Sequence, residues 1–421
     1  MPPGILGAAN QTSYGGCRSL LKRASRVSCV RPLNAMAPRI AFVVNNAAFF
    51  VSHRLPIAIA ARTAGFEVAL FTGQAGSKIL EASACELLAA EGIMHRKSAF
   101  KSAGTNLPVE IFGLMQLAFG LWKFKPDVVH CASPKGILYG GAAARWVGSP
   151  SVVLAVSGMG YLFTGESSGW KSLLRRAYGW GVRFAYGHAN KRVIVQNQDD
   201  LKALAQSGLA MAEELVLIPG SGVDLKDYEG VTSAQREPLV VLPARMLKDK
   251  GVVEFAEAAK SVRRAGCDWR FALVGTADYQ NPTAVSREQI QSWVDAGTLE
   301  WWGHCEDMAN VFAQASIVCL PSYREGMPKS LLEAAAAGCA VVTTDVVGCR
   351  EAVLDGETGD LVPARDSVAL ASTLLALIND PQRRANYACA GRRLAASRFG
   401  LEAVVERTLS IYQELMHRAA D

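Results

Sequence analysis

Apolar residues recur along this chain in two rhythms, and the rhythms alternate. Residues 39–45 (RIAFVVN) form a short apolar run of the kind buried in a parallel sheet. A loop is expected at 46–52, then a helix over 55–64 that Gly65 stops, then a second strand over 66–72 (FEVALFT). Strand, loop, helix and strand again predict the β-α-β unit of a doubly wound parallel sheet. The figure continues with a helix at 109–122, a strand at 128–131, a helix at 137–147 and a strand at 151–156. Residues 193–196 read as the last strand of this half, and a helix over 197–206 follows. Asn197 is its cap, with Asp199 and Asp200 in its first turn.

The stretch PGSGVDL at 219–225 and the polar segment 227–237 mark a crossing between domains. The pattern then restarts. Strands are expected at 239–242, 270–274, 299–302 and 315–320, with a helix at 252–264 and final helices at 367–377, 381–398 and 401–418. The expected division is a disordered basic extension at 1–36, an α/β domain at 37–222, a second at 223–400, and a C-terminal helix at 401–421.

The densest chemistry lies at 321–338, PSYREGMPKSLLEAAAAG. A helix is expected to start near Pro328, which suits a first turn, and to stop at Gly338. Backbone N–H groups of Lys329, Ser330 and Leu331 at such a start form an anion site. Yet Glu325 and Glu333 bracket it. Carboxylates accept hydrogen bonds from vicinal hydroxyls, so the pair suits a ligand with phosphate at its middle and hydroxyl-rich rings at both ends. The loop 243–251 adds Arg245 and Lys250. The rule that ligands lie outside the carboxyl ends of parallel strands brings His53, Arg54, His130, Ser133, Lys135, Ser157 and Gly158 toward one cleft. His130 reads equally as structural or catalytic, and Lys135 as an anion-binding cation or a solvated residue.

Composition narrows the class. With 421 residues, 50% hydrophobic and 19% charged, the chain is globular and large enough for two cores. The net charge of +6 favours anionic partners without indicating nucleic acid. Ten cysteines are scattered, with no C-x-x-C pair and no zinc-ligand spacing, so reduced thiols are expected. No apolar run approaches the roughly 18 residues of a spanning helix, so no crossing is expected. The first acid of the chain is Glu67, and the basic stretch before Met36 lacks the apolar core of a secretory signal. Residues 170–192 interleave Lys171, Arg175, Arg176, Arg183, Lys191 and Arg192 with Trp170, Tyr178, Trp180 and Phe184. That is the pattern of a membrane-surface helix, and also of a packed helix with a charged outer face.

Glu325, seven intervening residues and Glu333, set in EGMPKSLLEAAAAG and followed by AVVTTDVVGCREAV, resemble the signature of the retaining nucleotide-sugar glycosyltransferases of family 4. The resemblance implies two Rossmann-like domains facing across a cleft, the GT-B arrangement, with the last helix crossing back to the first domain. It implies that Glu325 holds the transferred sugar, Glu333 the ribose, and Arg245 with Lys250 the diphosphate. Gly326, Met327, Lys329, Ser330 and Leu331 would line the donor, and Gly275 and His304 would face the nucleotide. The stretch VVNNAAFFVSHRLPIA lacks the glycine pair often found there. It is similar to a subgroup acting in bacterial surface polysaccharide and lipid-linked oligosaccharide synthesis.

The implied activity moves a hexose or N-acetylhexosamine from a UDP-sugar to a lipid-linked saccharide of the undecaprenyl-diphosphate type, with retention. Arg245, Lys250, Glu325, His53 and His130 are the catalytic candidates, with no metal and no cofactor beyond the donor substrate. The implied place is the cytoplasm, peripheral at the inner face of the membrane, which favours the membrane reading of 170–192. Two alternatives stay open: a nucleotide-sugar 2-epimerase of the same architecture, and a non-catalytic donor-binding subunit.

Overall fold

Two parallel sheets carry the molecule. The computed structural model describes residues 37–74, 78–101, 106–158, 170–232, 236–277 and 281–420, with the backbone alone described at 78–79 and 170–177. The extension at 1–36 and the side chains of Lys171, Arg175 and Arg176 lie outside the described residues.

The first sheet holds β1 (Arg39–Val44), β2 (Glu67–Gln74), β3 (Met94–Lys101), β4 (Val128–Ala132), β5 (Ser151–Val156), β6 (Lys191–Val195) and β7 (Leu215–Leu217). Its helices are α1 (Ala47–His53), α2 (Leu55–Thr63), α3 (Lys78–Ala90), α4 (Leu107–Phe124), α5 (Pro134–Trp146), α6 (Trp170–Tyr186) and α7 (Gln198–Ser207). The second sheet holds β8 (Glu237–Pro243), β9 (Arg270–Val274), β10 (Glu300–Gly303), β11 (Ala315–Leu320), β12 (Ala340–Thr344) and β13 (Gly359–Val362). With it run α8 (Val252–Arg264), α9 (Arg287–Asp295), α10 (Met308–Gln314), α11 (Lys329–Ala337), α12 (Cys349–Ala352), α13 (Ser367–Ile378), α14 (Pro381–Leu394) and α15 (Leu401–Ala420).

The strand orders are β3-β2-β1-β4-β5-β6-β7 and β10-β9-β8-β11-β12-β13, so both halves are wound alike. Each reverses direction beside its first strand, β1 against β4 and β8 against β11, and the carboxyl ends of those strands are where a ligand crevice opens. The central strands are buried on both faces, which is why they read as continuous apolar runs.

Four expectations need correction. The loop expected at 46–52 is helix α1: the Asn46 side chain accepts from the Phe49 N–H at 2.8 Å, and Glu81 accepts from the Ala47 N–H at 3.0 Å. These two side chains satisfy N–H groups that a helix start leaves open. Residues 193–196 do not close the first sheet, because β7 adds a further strand beside β6. Lys191 and Arg192 belong to strand β6 and not to a surface helix. Both are buried; Lys191 pairs with Glu214 at 2.6 Å, and Arg192 pairs with Glu414. Finally, α4 is by length and composition apolar enough to cross a bilayer, with a mean hydropathy of 1.2 over 18 residues. Glu110 in its first turn, Gln116 at its middle and Lys123 in its last turn interrupt the apolar run. In the fold one face of α4 closes the sheet against β3 and α5.

The last helix, α15, packs on α2 and on strands β4, β5 and β6. Tyr412 and Leu415 are fully buried there. The two chain crossings run side by side: the Val223 N–H donates to the Phe399 carbonyl and the Leu401 N–H to the Val223 carbonyl, both at 2.9 Å.

Candidate active site

The end of β8 leads through Arg245 into a short turn, Lys248–Lys250, ahead of α8. The end of β11 leads through Ser322 and Glu325 into α11, for which Pro328 is the cap and Gly338 the left-handed stop. The Tyr323 N–H donates to the Asp249 carbonyl at 2.9 Å, tying the two loops together. On that tie sits the ion pair of Lys250 with Glu325, whose carboxylate also accepts from the Ser322 hydroxyl at 2.7 Å. The Lys250 and Glu325 side chains are 22% and 12% exposed, screened from bulk water yet open on one side.

One turn along α11, Glu333 pairs with Lys329 at 3.1 Å. The Tyr228 hydroxyl, from the turn after the hinge, also bonds Glu333, and burial followed by that carboxylate pushes the phenol pKa up. Tyr228 and Ser322 hold the two acids in place. Sequence reading missed both, because a Tyr in a polar connector and a Ser in a loop carry no signal of their own.

The helix start differs in one respect from expectation. The Leu331 side chain is fully buried and its N–H turns back to the Pro328 carbonyl at 3.0 Å. Leu331 is therefore a core residue, and Lys329 and Ser330 are the donors left at that end. Met327 is also buried, 8% exposed, beside the hinge.

Gly326 lies where the walls meet. A Cβ there would sit 2.0 Å from the Ser157 carbonyl oxygen, so only glycine allows this approach. The Asn197 side chain donates to the Gly326 carbonyl at 2.7 Å, Arg324 pairs with Asp200 at 2.7 Å, and the Gln198 N–H donates to Glu351 at 2.6 Å. The ends of β5 and β6 are thus clasped to the loop that carries Glu325. Gly275 has φ 151°, and its missing Cβ would lie 1.9 Å from the Ala244 carbonyl, which lets the Arg245 loop pass over β9. Its N–H donates to the Gly303 carbonyl at 2.7 Å, next to the exposed His304.

On the first wall the expectations divide. His53 is half-buried at the end of α1, stacked on Phe49 at 4.5 Å, with Nδ1 3.2 Å from the Phe49 carbonyl. Burial, then Arg54, then Lys329 from the opposite wall lower its pKa to about 3, so the ring is neutral. His130 does not reach the cleft. The residue is 1% exposed, and its Nδ1 lies 2.7 Å from the Tyr412 hydroxyl under α15. This corrects the catalytic expectation: His130 is a core histidine. Arg54 is 4% exposed and donates to the Ser221 hydroxyl at 3.2 Å. Ser133 bonds Asn45, and Lys135 pairs with buried Glu110 at 2.9 Å, so these two tie strand ends together.

Among the described residues, no group of three or more His, Cys, Asp or Glu side chains is placed to hold a metal ion. The arrangement that remains is two acid–base pairs on one wall of a cleft, a helix start between them, the exposed Arg245 in the loop after β8 and a neutral histidine on the other wall.

The family described as Glycosyl transferase 4-like matches residues 39–196, and the one described as Glycosyl transferases group 1 matches residues 237–380. The chain belongs to the family 4 glycosyltransferases. This glycosyltransferase is 26% identical over 331 residues to the N,N'-diacetylbacillosaminyl-diphospho-undecaprenol alpha-1,3-N-acetylgalactosaminyltransferase of Campylobacter jejuni, covering 75% of this chain and 85% of that one. It is 31% identical over 189 residues to the alpha-maltose-1-phosphate synthase of Mycolicibacterium smegmatis, covering 42% and 48%. The structure of HepE from Anabaena with UDP and glucose superposes with a TM-score of 0.69 at 20% identity, over 90% of this glycosyltransferase and all of HepE. That likeness shows the fold, and the fold is GT-B.

Proposed function

We propose that this glycosyltransferase moves a hexose or N-acetylhexosamine from a UDP-sugar to a lipid-linked saccharide, of the undecaprenyl-diphosphate type, at the inner face of a cell membrane. The observation that carries the reading is the pairing of Lys250 with Glu325 and Lys329 with Glu333 around one helix start. Each acid rests on a cation. When a sugar diphosphate enters, the cations turn to phosphate oxygens and the acids to hydroxyls.

Lys250, Arg245 and the N–H groups of Lys329 and Ser330 then meet the charge that grows on the diphosphate as the glycosidic bond breaks. Glu325 orients the sugar and Glu333 the ribose. Neutral His53 faces the sugar as a hydrogen-bond partner. These cations fill the place of a divalent metal in the reading. Retention is assigned to attack by the acceptor on the face the diphosphate leaves. A buried acid, Glu81, does reach the β1–α1 loop, but its Oε2 caps α1 through Ala47 and Ala48, which argues against a covalent intermediate on it. The Campylobacter relative supports the choice of acceptor by its name. HepE, solved with UDP, supports testing uridine donors first.

The experiment is a panel of UDP-sugars offered with a lipid-diphosphate-sugar acceptor, products read by mass spectrometry and anomeric configuration by NMR. An α-linked product from an α-donor is expected. Inversion would overturn retention, change of configuration at the second carbon would make the protein an epimerase, and UDP binding without turnover would make it a binding subunit.

A further inference from the structure

One helix of the first sheet is half uncovered. α4 buries Gly113, Leu117, Leu121 and Phe124 against the sheet. Its other face carries Leu107, Ile111, Phe112, Met115, Phe119 and Trp122, each between 47% and 63% exposed. Their spacing makes one stripe along the helix, over about 23 Å at 1.5 Å per residue. The Phe119 and Trp122 rings stack with centroids 5.9 Å apart. The stripe continues sideways, because α5 packs against both α4 and α6. There Trp146 is 64% exposed, Trp180 78% and Phe184 44%. Single exposed apolar residues are ordinary, but a row on one helix joined by aromatics on two neighbours marks an interaction surface.

Charge decides what covers it. Between residues 92 and 158 the acids of the sequence are Glu110 and Asp127. Neither faces outward: Glu110 is buried and bonds Lys135 and Tyr139, and Asp127 accepts from the Arg39 N–H at 2.7 Å. Residues 170–198 contain no acid at all. Lys123, Lys125, Arg145 and Arg183 are exposed on these helices and their ends, and Arg145 lies over the Phe184 ring at 4.6 Å. The face is therefore apolar with a rim of cations. A second copy docking here would set rim against rim and repel. A bilayer with anionic headgroups offers apolar chains and negative charge in one surface.

We propose that α4, flanked by α5 and α6, seats the protein on an anionic bilayer, with the helix axis in the plane of the interface. Trp122, Trp146 and Trp180 have the amphipathic rings that settle at headgroup depth. The assignment stands on this surface alone and not on the acceptor proposed above.

The test is flotation of the full chain with vesicles of phosphatidylcholine, alone and mixed with phosphatidylglycerol. Wild type is expected to float with the mixed vesicles and to be released by salt. Phe119→Ser with Trp122→Ser should weaken that partition at least ~10-fold while leaving the thermal unfolding midpoint in place. Ile111→Ser with Met115→Ser is a second pair, for use if the first fails to fold. Equal flotation of wild type and a folded variant would overturn the proposal. So would equal binding to phosphatidylcholine alone. A wild-type dimer that sedimentation shows and the variant loses, without flotation, would assign the face to a second copy.

Discussion

At the ends of β8 and β11 the chain sets Lys250 against Glu325 and, one helix turn on, Lys329 against Glu333. Between α1 and α2, and in the middle of β4, it sinks Arg54 and His130 into the core, where neither has an ion pair with a described carboxylate. The two walls have the same strand order and handle charge in opposite ways. Paired, half-open charges can exchange partners when a ligand arrives. Buried groups without a counter-ion hold their own wall in shape, and the imidazoles among them stay neutral. The second wall holds its charges in exchangeable pairs, while the first keeps neutral imidazoles beside the buried Arg54 cation.

The largest effect expected from this contrast is acid sensitivity of the first wall. Burial, then Arg54, holds the His130 pKa well below its ordinary value, and His53 and His95 are lowered to about 3 and about 4. Their unfolded values lie near 6.5. Between those limits the unfolded chain binds more protons than the folded one, so stability is full above about pH 6.5 and falls as pH drops toward 4. Unfolding midpoints measured across that range should fall, and His130→Gln should flatten the slope. An unchanged slope would break the claim that this wall depends on neutral imidazole.

Next comes Lys250→Ala, which should lower turnover by on the order of 10² or more, the usual loss for one charge stabiliser. Near-normal turnover would remove the second wall from the chemistry. Glu333→Ala should weaken UDP binding about 10-fold by calorimetry, as for a hydrogen bond to a charged group, with a smaller change in turnover. If UDP affinity holds, the ribose contact is elsewhere. Smallest is Tyr412→Phe, which strands the His130 Nδ1 and should cost roughly 1 kcal/mol in urea unfolding. Turnover at saturating donor should stay put, since a loss there would return His130 to the catalytic group.

Much of the second wall was legible because its chemistry is local. Glu325, Pro328, Lys329, Glu333 and Gly338 lie within a few turns of chain, and helix start, helix stop and side-chain facing follow from that spacing alone. The central strands were legible for a similar reason: burial on both faces leaves nearly unbroken apolar runs. Edge strand β3, reading MHRKSAFK, and the short β7 were not, since an edge keeps polar residues and a three-residue strand has no period. α1 was only half legible: its cap Asn46 is local, but the carboxylate that also caps it, Glu81, comes from another helix.

The sequence alone determined the winding of both halves, the helix start between two acids and the cationic loop before it. The tertiary structure decided which of the titratable groups face the cleft. His53 ends α1 and His130 sits in the middle of β4, and nothing in either stretch tells that α15, 282 residues beyond His130, covers that ring and leaves His53 half-open. It also decided that Lys191 and Arg192 turn inward to Glu214 and Glu414 while α4 turns its aromatics outward. Spacing along a chain orders the faces of one element, but which face meets water depends on what packs against it from far away.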